Sequence, residues 1–336
     1  MFVPVISKSS KPLMPTKPNK AGMLIKKKLA TPFWRNGIFC IRLNYEPKTD
    51  HKQEVAIGID PGSKKEGFCV KSKENTYLNL QADAHVSTKK KIAKRKNLRR
   101  ARRNRKTRCR KCRCNRKTNK KFIPPSTRAR WSWKVRIVDQ LLKIFPITAC
   151  VIEDVQAETK KGKKRWNQSF SPLQVGKKWF YEQMEERFEF FDQLKGWETK
   201  QLRERYSLHK LDYKLSSDFH AHCVDAWVLA THAVGGYFPN NKDVLCIRPL
   251  LIQRRCLHKE NPKKGGIRTP YGGTRCIGFT KGTLIKSVKY GLGLIGGVNK
   301  RNKLRLVDIL TRKNITLACP PNNLKIKTRL NWLICN

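Results

Sequence analysis

A run of 55 consecutive residues, Ala84 to Val138, contains no Asp or Glu, and 24 of its residues are Lys or Arg. Its densest part, Lys89 to Lys121, has 20 cations and very few apolar side chains. Such a segment cannot be buried in a protein core, because each unpaired charge would lose its hydration. The stretch from Lys89 to Lys106 lacks Gly and Pro and is rich in helix formers, so it predicts a long helix. We expect this helix to bind a polyanion rather than pack on protein.

The charge of the whole chain supports the same expectation. The 336 residues carry a net charge of +51, which is far more than solubility requires and favours a polyanionic partner. A membrane surface is the competing polyanion, but no apolar run approaches the ~20 residues that span a bilayer. The segment from Met1 to Pro15 also lacks the long apolar stretch of a signal peptide. We therefore expect nucleic acid as the partner, and no membrane association.

Two short apolar segments flank the basic run, and each ends in a carboxylate. Glu54 to Asp60 and Ala149 to Glu153 are nearly continuous in Val, Ile and Ala, which is typical of buried strands. Gly67–Ser72 and Thr76–Gln81 are predicted to return as antiparallel partners of the first strand. Other predicted elements are strands at Val3–Ile6 and Phe39–Leu43, helices at Ala21–Lys28, Trp131–Phe145, Ser171–Phe191 and Ser217–Val234, and a β-rich region after residue 240.

Three carboxylates and one histidine are candidate site residues. Asp60 and Glu153 close the two strands, and the helix predicted at Ser217–Val234 carries His222 and Asp225 three residues apart, on one face. Carboxylate oxygens favour Mg²⁺ or Mn²⁺, and two such ions about 4 Å apart can promote phosphodiester hydrolysis. Singly, these residues are common in turns and cores. From the residues alone, a nuclease and a purely binding protein remain equally open.

The twelve cysteines lack the spacing of a disulfide framework, so reduced thiols are expected. A zinc site needs four ligands, and no fourth ligand lies near Cys109, Cys112 and Cys114. We expect free thiols there, and equally in a looser second set. That set is Cys246, Cys256, His258 and Cys276.

The amino-acid sequences of several short segments resemble the motifs of a known family. Ile57-Gly-Ile-Asp60-Pro-Gly-Ser63, Val151-Ile-Glu153 and His222-Cys-Val-Asp225-Ala226 resemble the three split motifs of a RuvC-type nuclease with an RNase H fold. Lys11-Pro-Leu-Met-Pro15 resembles the N-terminal motif of the transposon-encoded IscB and IsrB proteins. Further similar segments are Arg99-Arg-Ala-Arg-Arg103, Arg105-Lys-Thr-Arg108, Pro124-Pro-Ser126, Phe170-Ser-Pro-Leu-Gln-Val-Gly176 and Tyr271-Gly-Gly-Thr-Arg275.

The spacing of the motifs distinguishes between the two proteins. IscB proteins carry an HNH nuclease domain between the second and third RuvC motifs. Here only 68 residues separate Glu153 from His222, and they contain no His-Asn-His-like group. The chain therefore resembles the IsrB family, which has the RuvC nuclease alone.

The resemblance implies an RNA-guided DNA nickase that cuts the non-target strand and requires two Mg²⁺ or Mn²⁺ ions. Asp60, Glu153 and Asp225 would hold the metals, and His222 would orient or deprotonate the attacking water. The implied partners are a noncoding, transposon-associated guide RNA and target DNA, with a monomeric protein in the ribonucleoprotein. The implied guide RNA contacts are Arg99, Arg100, Arg102, Arg103, Arg105 and Arg108, and the implied contacts to the motif flanking the target are Tyr271 and Arg275.

The expected fold class is α/β, with an RNase H-like core split by an arginine-rich bridge helix. The predicted divisions are a basic N-terminal module (1–52), the first RuvC segment (53–84), the bridge helix and linker (85–128), the second and third RuvC segments (129–238) and a β-rich C-terminal domain that reads the flanking motif (239–336). The expected location is the cytoplasm of a prokaryote, with the nucleoid, or an organelle interior if the gene is organellar.

Two alternatives stay open beside this interpretation. The first is a catalytically idle RNA-binding factor on a RuvC-like fold, although the presence of Asp60, Glu153, His222 and Asp225 argues against it. The second is a nuclease that selects DNA structures without a guide. Such an enzyme has no need for the basic segment between Lys89 and Lys121.

Overall fold

The computed structural model describes residues 2–47, 52–104, 123–154, 172–213, 216–250, 275–299, 301–311, 313–322 and 324–335, with four short strands between 256 and 272. Arg105, Arg108 and the cysteines at 109, 112 and 114 lie outside these ranges. Within them, no helix is long and apolar enough to cross a membrane.

The N-terminal residues form a small four-stranded sheet with one helix. Strand β1 lies between β2 and β4, so the strand order is β2-β1-β4-β3, and its core contains Val5, Ala21 and Ile41. The predicted strands at Val3–Ile6 and Phe39–Leu43 are confirmed within one residue. The elements are β1 (Val3–Ile6), β2 (Pro12–Thr16), α1 (Pro18–Lys26), β3 (Ala30–Arg35) and β4 (Ile38–Leu43).

A seven-stranded mixed sheet forms the centre of the molecule. Strands β5, β6 and β7 make the predicted antiparallel meander, β8 and β9 continue parallel to β5, and β10 and β22 extend the other side. Every residue of β5 is buried, as expected for a strand covered on both faces. These strands are β5 (Val55–Asp60), β6 (Lys65–Ser72), β7 (Thr76–Asp83), β8 (Ala149–Asp154), β9 (Phe190–Lys195), β10 (Val244–Pro249) and β22 (Trp332–Ile334).

Helices cover both faces of the central sheet. Helices α3 and α4 belong to one face, where Trp131, Ile137 and Phe180 pack on Ile57 and Ile59 of β5. Helix α6 lies on the other face against β5, β6 and β8, and α5 packs beside it. The bounds are α3 (Pro125–Leu141), α4 (Pro172–Glu185), α5 (Gly196–Arg205), a π-helical turn (Phe219–Cys223) and α6 (Val224–Val234).

One predicted helix is wrong over its last six residues. The helix expected over Ser171–Phe191 ends at Glu185, and β9 follows at Phe190. Phe188 is buried in the core, and β9 obtains a parallel ladder with β8. These tertiary contacts outweigh the local helical pattern.

The basic helix is α2, Ser87–Arg103. Its helical state is confirmed, and Arg99 and Arg100 are exposed. Even its apolar Leu98 is 62% exposed, so α2 does not pack as a core helix.

The C-terminal residues are rich in strands, as predicted. A five-stranded antiparallel sheet of order β20-β19-β18-β17-β21 has a core that includes Ile285, Ile295 and Leu306. The last strand, β22, leaves this sheet and pairs with β10 of the central sheet. The bounds are β11 (Cys256–Leu257), β12 (Glu260–Asn261), β13 (Gly266–Ile267), β14 (Tyr271–Gly272), β15 (Arg275–Cys276), β16 (Phe279–Thr280), β17 (Thr283–Ser287), β18 (Gly291–Val298), β19 (Leu304–Val307), β20 (Asn314–Cys319) and β21 (Leu324–Arg329).

Candidate active site

Two carboxylates lie at one edge of the central sheet because their strands are parallel neighbours. Strand β5 ends at Asp60, and β8 carries Glu153 as its next-to-last residue. In the ladder between them Ile59 is opposite Ile152, so Asp60 and Glu153 follow at the same level. Since side chains alternate along a strand, both carboxylates point to the face that α6 covers.

Two glycines allow α6 and the π-helical turn to lie directly on the strands. A Cβ atom at Gly58 would be 1.9 Å from the carbonyl oxygen of Ala226, and one at Gly67 would be 2.2 Å from the carbonyl oxygen of His222. A larger residue at either position would displace the backbone of the helix or turn. This close approach brings His222 and Asp225 over the end of β5.

His222 contacts Asp60 directly. Its Nδ1 lies 3.1 Å from Oδ2 of Asp60, and the two side chains are only 9% and 7% exposed. The turn that carries His222 begins at Asp218, whose carboxylate accepts a hydrogen bond from the backbone N–H of His220 at 2.7 Å. A hydrogen bond from Nδ1 to a carboxylate selects one ring tautomer.

Two cations that the sequence did not single out bind Asp225. Arg203 of α5 donates to Oδ1 of Asp225 at 2.5 Å, and the Lys210 ammonium donates to Oδ2. The Nζ atom of Lys210 also lies 3.9 Å from Oδ2 of Asp60. The chain has 75 Lys and Arg residues, so no local pattern marks these two, and only the tertiary contact does.

The acidic groups of the site have pKa values that are shifted in opposite directions. Burial, the charge of Asp60 and a hydrogen bond with Asp60 raise the pKa of Glu153 to about 8. Burial pushes the pKa of Asp60 upward, but the hydrogen bond from His222 and the charge of Lys210 bring it below its ordinary value. Burial lowers the pKa of Lys210, yet Asp60 and Asp225 outweigh this and raise it. These shifts favour the protonated form of Glu153 and the charged form of Lys210.

The donor set suits a hard divalent cation. Three carboxylates supply oxygen ligands of the kind that Mg²⁺ and Mn²⁺ prefer, and the ammonium of Lys210 stands between two of them as a bound cation does. Among the described residues no three His, Cys, Asp or Glu side chains are arranged as a ready metal cluster. Both oxygens of Asp225 already bind a cation of the protein, because Arg203 binds Oδ1 and Lys210 binds Oδ2. Asp225 would therefore have to release one of these cations in order to bind a metal.

The opposite face of the same sheet edge holds two carboxylates with their own cations, Asp154, which is partly buried, and Glu66, which is fully buried. Asp154 accepts hydrogen bonds from Lys177 Nζ at 2.6 Å and from the Tyr181 hydroxyl at 2.7 Å. Glu66 of β6 accepts one from Lys134 Nζ of α3 at 2.7 Å, and both side chains are almost fully buried. These ion pairs fix α4 and α3 on the sheet.

The residues expected to bind nucleic acid lie apart from the carboxylates in sequence. Arg99 and Arg100 are exposed on α2, and Arg102 and Arg103 lie in its last turn. In the C-terminal region Tyr271 pairs with Leu257 between β14 and β11, and the exposed Arg275 pairs with Thr280 between β15 and β16. Their roles remain predictions.

The three cysteines of the looser set belong to three different sheets, with Cys246 in β10, Cys256 in β11 and Cys276 in β15, and His258 lies outside the described residues. Cys246 is buried in β10 of the central sheet, and Cys276 is buried in the core of the five-stranded sheet. Burial raises the pKa of the Cys276 thiol.

Comparison with solved structures finds distant similarities. Thermus thermophilus RuvC in complex with a Holliday junction substrate is 14% identical, with 54% of this chain and 94% of that chain covered and a TM-score of 0.28. The yeast mitochondrial Holliday junction resolvase Ydc2 is 10% identical, with 55% and 79% covered and a TM-score of 0.28. Comparison with curated proteins gives no match.

A family model gives the decisive similarity. The model of the RRXRR protein family matches residues 3–170, which is half of the 336-residue chain. The matched part contains the N-terminal sheet, the β5–β7 meander, the basic helix α2 and β8. This chain belongs to the RRXRR protein family.

Proposed function

We propose that the protein is an RNA-guided, divalent-metal-dependent endonuclease with an RNase H-like core, and that it nicks the non-target DNA strand. The observation that carries the proposal is the meeting of Asp60, Glu153, His222 and Asp225 at one edge of the central sheet. The four residues come from three segments that are distant in sequence, and only His222 and Asp225 are close together in the chain. The order β7-β6-β5-β8-β9, with only β6 reversed among these five strands, fits the RNase H-like core.

The side chains support hydrolysis of a phosphodiester. When bound, divalent ions would polarise the scissile phosphate and acidify a water molecule, and Asp60, Glu153 and Asp225 would hold them. The contact of Nδ1 with Oδ2 of Asp60, at 3.1 Å, holds the His222 ring beside the carboxylates. An imidazole in this place is suited to orient or deprotonate the attacking water.

The basic helix supports a nucleic-acid partner beyond the substrate strand. The described part of α2 carries a dense, exposed array of Lys and Arg, including Arg99 and Arg100. Arginine guanidinium groups bind phosphates with paired hydrogen bonds. Guide RNA is the proposed ligand of this helix because the sequence resembles an RNA-guided family.

The proposal that only one DNA strand is cut follows from the presence of a single catalytic site in the proposal. The proposal contains one group of catalytic carboxylates, which can process one strand polarity at a time. The DNA strand paired with guide RNA is occupied, and the displaced strand is free to enter.

The test is a duplex labelled on both strands, incubated with protein, guide RNA and Mg²⁺ and resolved on a denaturing gel. We expect cleavage of the non-target strand alone, dependent on both the RNA and the metal. Cleavage of both strands at matched positions by the purified protein would contradict the single-site proposal. Cleavage without RNA would instead support the structure-selective nuclease.

One observation favours the idle RNA-binding factor as a second candidate. Both oxygens of Asp225 are bound by cations of the protein itself, and a permanent arrangement of this kind would exclude metal. In that case guide RNA binding would persist, and cleavage would be absent at every metal concentration.

A further inference from the structure

Lys210 lies beside two buried carboxylates. Its ammonium binds Oδ2 of Asp225 and is 3.9 Å from Oδ2 of Asp60. The Asp225 side chain is 2% exposed and that of Asp60 is 7% exposed, whereas that of Lys210 is 30% exposed. Two buried carboxylates thus share one ammonium that reaches them from the surface.

The fold fixes this position through the residues on each side of Lys210. The carbonyl oxygen of His209 lies 3.1 Å from Nδ1 of His220, and the two imidazole rings stack with centroids 4.3 Å apart. The backbone N–H of Leu211 donates to the carbonyl oxygen of His220 at 2.9 Å. Contacts to one residue of the π-helical turn, His220, therefore hold the chain immediately before and after Lys210. Its ammonium is part of the site and not a surface cation that happens to lie nearby.

Arg203 and Lys210 differ in how easily each side chain could move away from Asp225. Arg203 belongs to helix α5 and is 16% exposed, so its movement would disturb the packing of a regular element. Lys210 lies outside regular structure, and its longer, flexible stem can carry the ammonium outward to water. Of the two cations on Asp225, Lys210 is the one that can leave.

A divalent ion and the ammonium cannot occupy the same position. A metal that uses Oδ2 of Asp225 and a carboxylate oxygen of Asp60 needs the space and the ligands that Lys210 now has. Like charges this close repel strongly in a buried site.

We propose that Lys210 is an internal counterion of the carboxylate site, which takes the place of a divalent cation and is displaced when the metal binds. This inference rests on the proposed metal-dependent function. The ammonium keeps Asp60 and Asp225 together while metal is absent, and it thereby sets the metal concentration that the protein requires. Lys210 is a positioning residue of the empty site and a competitor of the metal.

The test is the affinity of the full-length, RNA-free protein for Mn²⁺, measured from the electron paramagnetic resonance signal of free Mn²⁺. Lys210→Ala removes the competing charge, and Lys210→Met removes it while keeping the apolar stem, in case the smaller side chain impairs folding. Lys200→Ala is the matched control, because Lys200 is on neighbouring α5, is 65% exposed and pairs with Glu204 only weakly, at 3.8 Å. Asp225→Asn identifies the fraction of Mn²⁺ that binds at this site. All titrations are done at the same pH, so that proton competition is comparable among the variants.

We expect Lys210→Met and Lys210→Ala to bind Mn²⁺ about tenfold or more tightly than the parent protein, because the ion no longer has to displace an ammonium from the two carboxylates. Lys200→Ala should bind like the parent. If the parent and the Lys210 variants bind Mn²⁺ at this site with the same affinity, Lys210 is not a competitor, and the inference fails while the metal-dependent function stands. If none of them binds Mn²⁺ in a manner sensitive to Asp225→Asn, the inference and the proposed function fail together.

Discussion

Glu153 and Asp154 are neighbours in β8, yet they have opposite surroundings. Asp154 faces α4, where Lys177 and Tyr181 donate to it at 2.6 and 2.7 Å. Glu153 faces α6, where burial and the charge of Asp60 raise its pKa to about 8. The alternation of side chains along a strand is enough to separate the two environments.

The same contrast holds for the two faces of the sheet. On the face of α3 and α4, Asp154 has its own cation, and Glu66 has Lys134 at 2.7 Å. On the face of α6, acidic groups are crowded and share Lys210. Matched ion pairs position helices, whereas crowded carboxylates favour the binding of further positive charge. One face is therefore suited to packing, and the other is suited to binding a cation.

The largest expected effect is the difference in cleavage between substitutions of the adjacent residues Glu153 and Asp154. Glu153→Gln should reduce guide-dependent cleavage to background without lowering the unfolding temperature in EDTA, because it removes a metal ligand and relieves crowding. Asp154→Asn should retain cleavage at permissive temperature but lose roughly 1–3 kcal/mol of stability, since Lys177 loses its charged partner. Cleavage rates and thermal unfolding of both variants measure the two effects. Equal loss of cleavage in both would show that the faces are not functionally distinct.

The next effect concerns the buried ion pair of Glu66 and Lys134, on the face of the sheet that α3 and α4 cover. Lys134→Met leaves Glu66 without its cation and should cost roughly 3 kcal/mol in the free energy of unfolding. The double variant Lys134→Met with Glu66→Leu should recover most of this cost, because a buried ion pair can often be replaced by apolar residues. Urea denaturation of the single and double variants provides the comparison. No recovery in the double variant would mean that the pair does more than position α3.

The strands and the basic helix could be predicted from the sequence because each has a strong local pattern. Val and Ile run continuously into Asp60 and Glu153, and α2 lacks Gly, Pro and acidic residues. Strand β9 could not be predicted, since its ladder with β8 is a tertiary contact. A local sequence pattern is enough to predict most of these elements, but a strand such as β9 forms only because a neighbouring strand pairs with it.

The site could be predicted only in part for the same reason. His222 and Asp225 lie three apart on one face, so their proximity is local, and their meeting with Asp60 followed from the family resemblance. Arg203 and Lys210 were not predicted, because their roles depend on how α5 and the chain after it fold over Asp225.

A further expected effect is the pH dependence of stability in EDTA. The pKa of Glu153 is raised from its ordinary value of 4.5 to about 8 in the folded protein. The folded state therefore holds a proton that the unfolded state has released, and this contribution to stability is lost as pH rises from 4.5 to about 8. Over that range the unfolding temperature of the parent should fall relative to that of Glu153→Gln, which cannot titrate at this position. A constant difference between them would contradict the crowding of carboxylates on the α6 face.

The most direct test of the central claim is anomalous X-ray diffraction from crystals of the protein soaked in Mn²⁺. The account predicts anomalous peaks beside Asp60, Glu153 and Asp225, about 4 Å apart if two ions bind, with the ammonium of Lys210 withdrawn from Oδ2 of Asp225. Full soaking that leaves no peak at these carboxylates, with Lys210 still bound to Asp225, would contradict it.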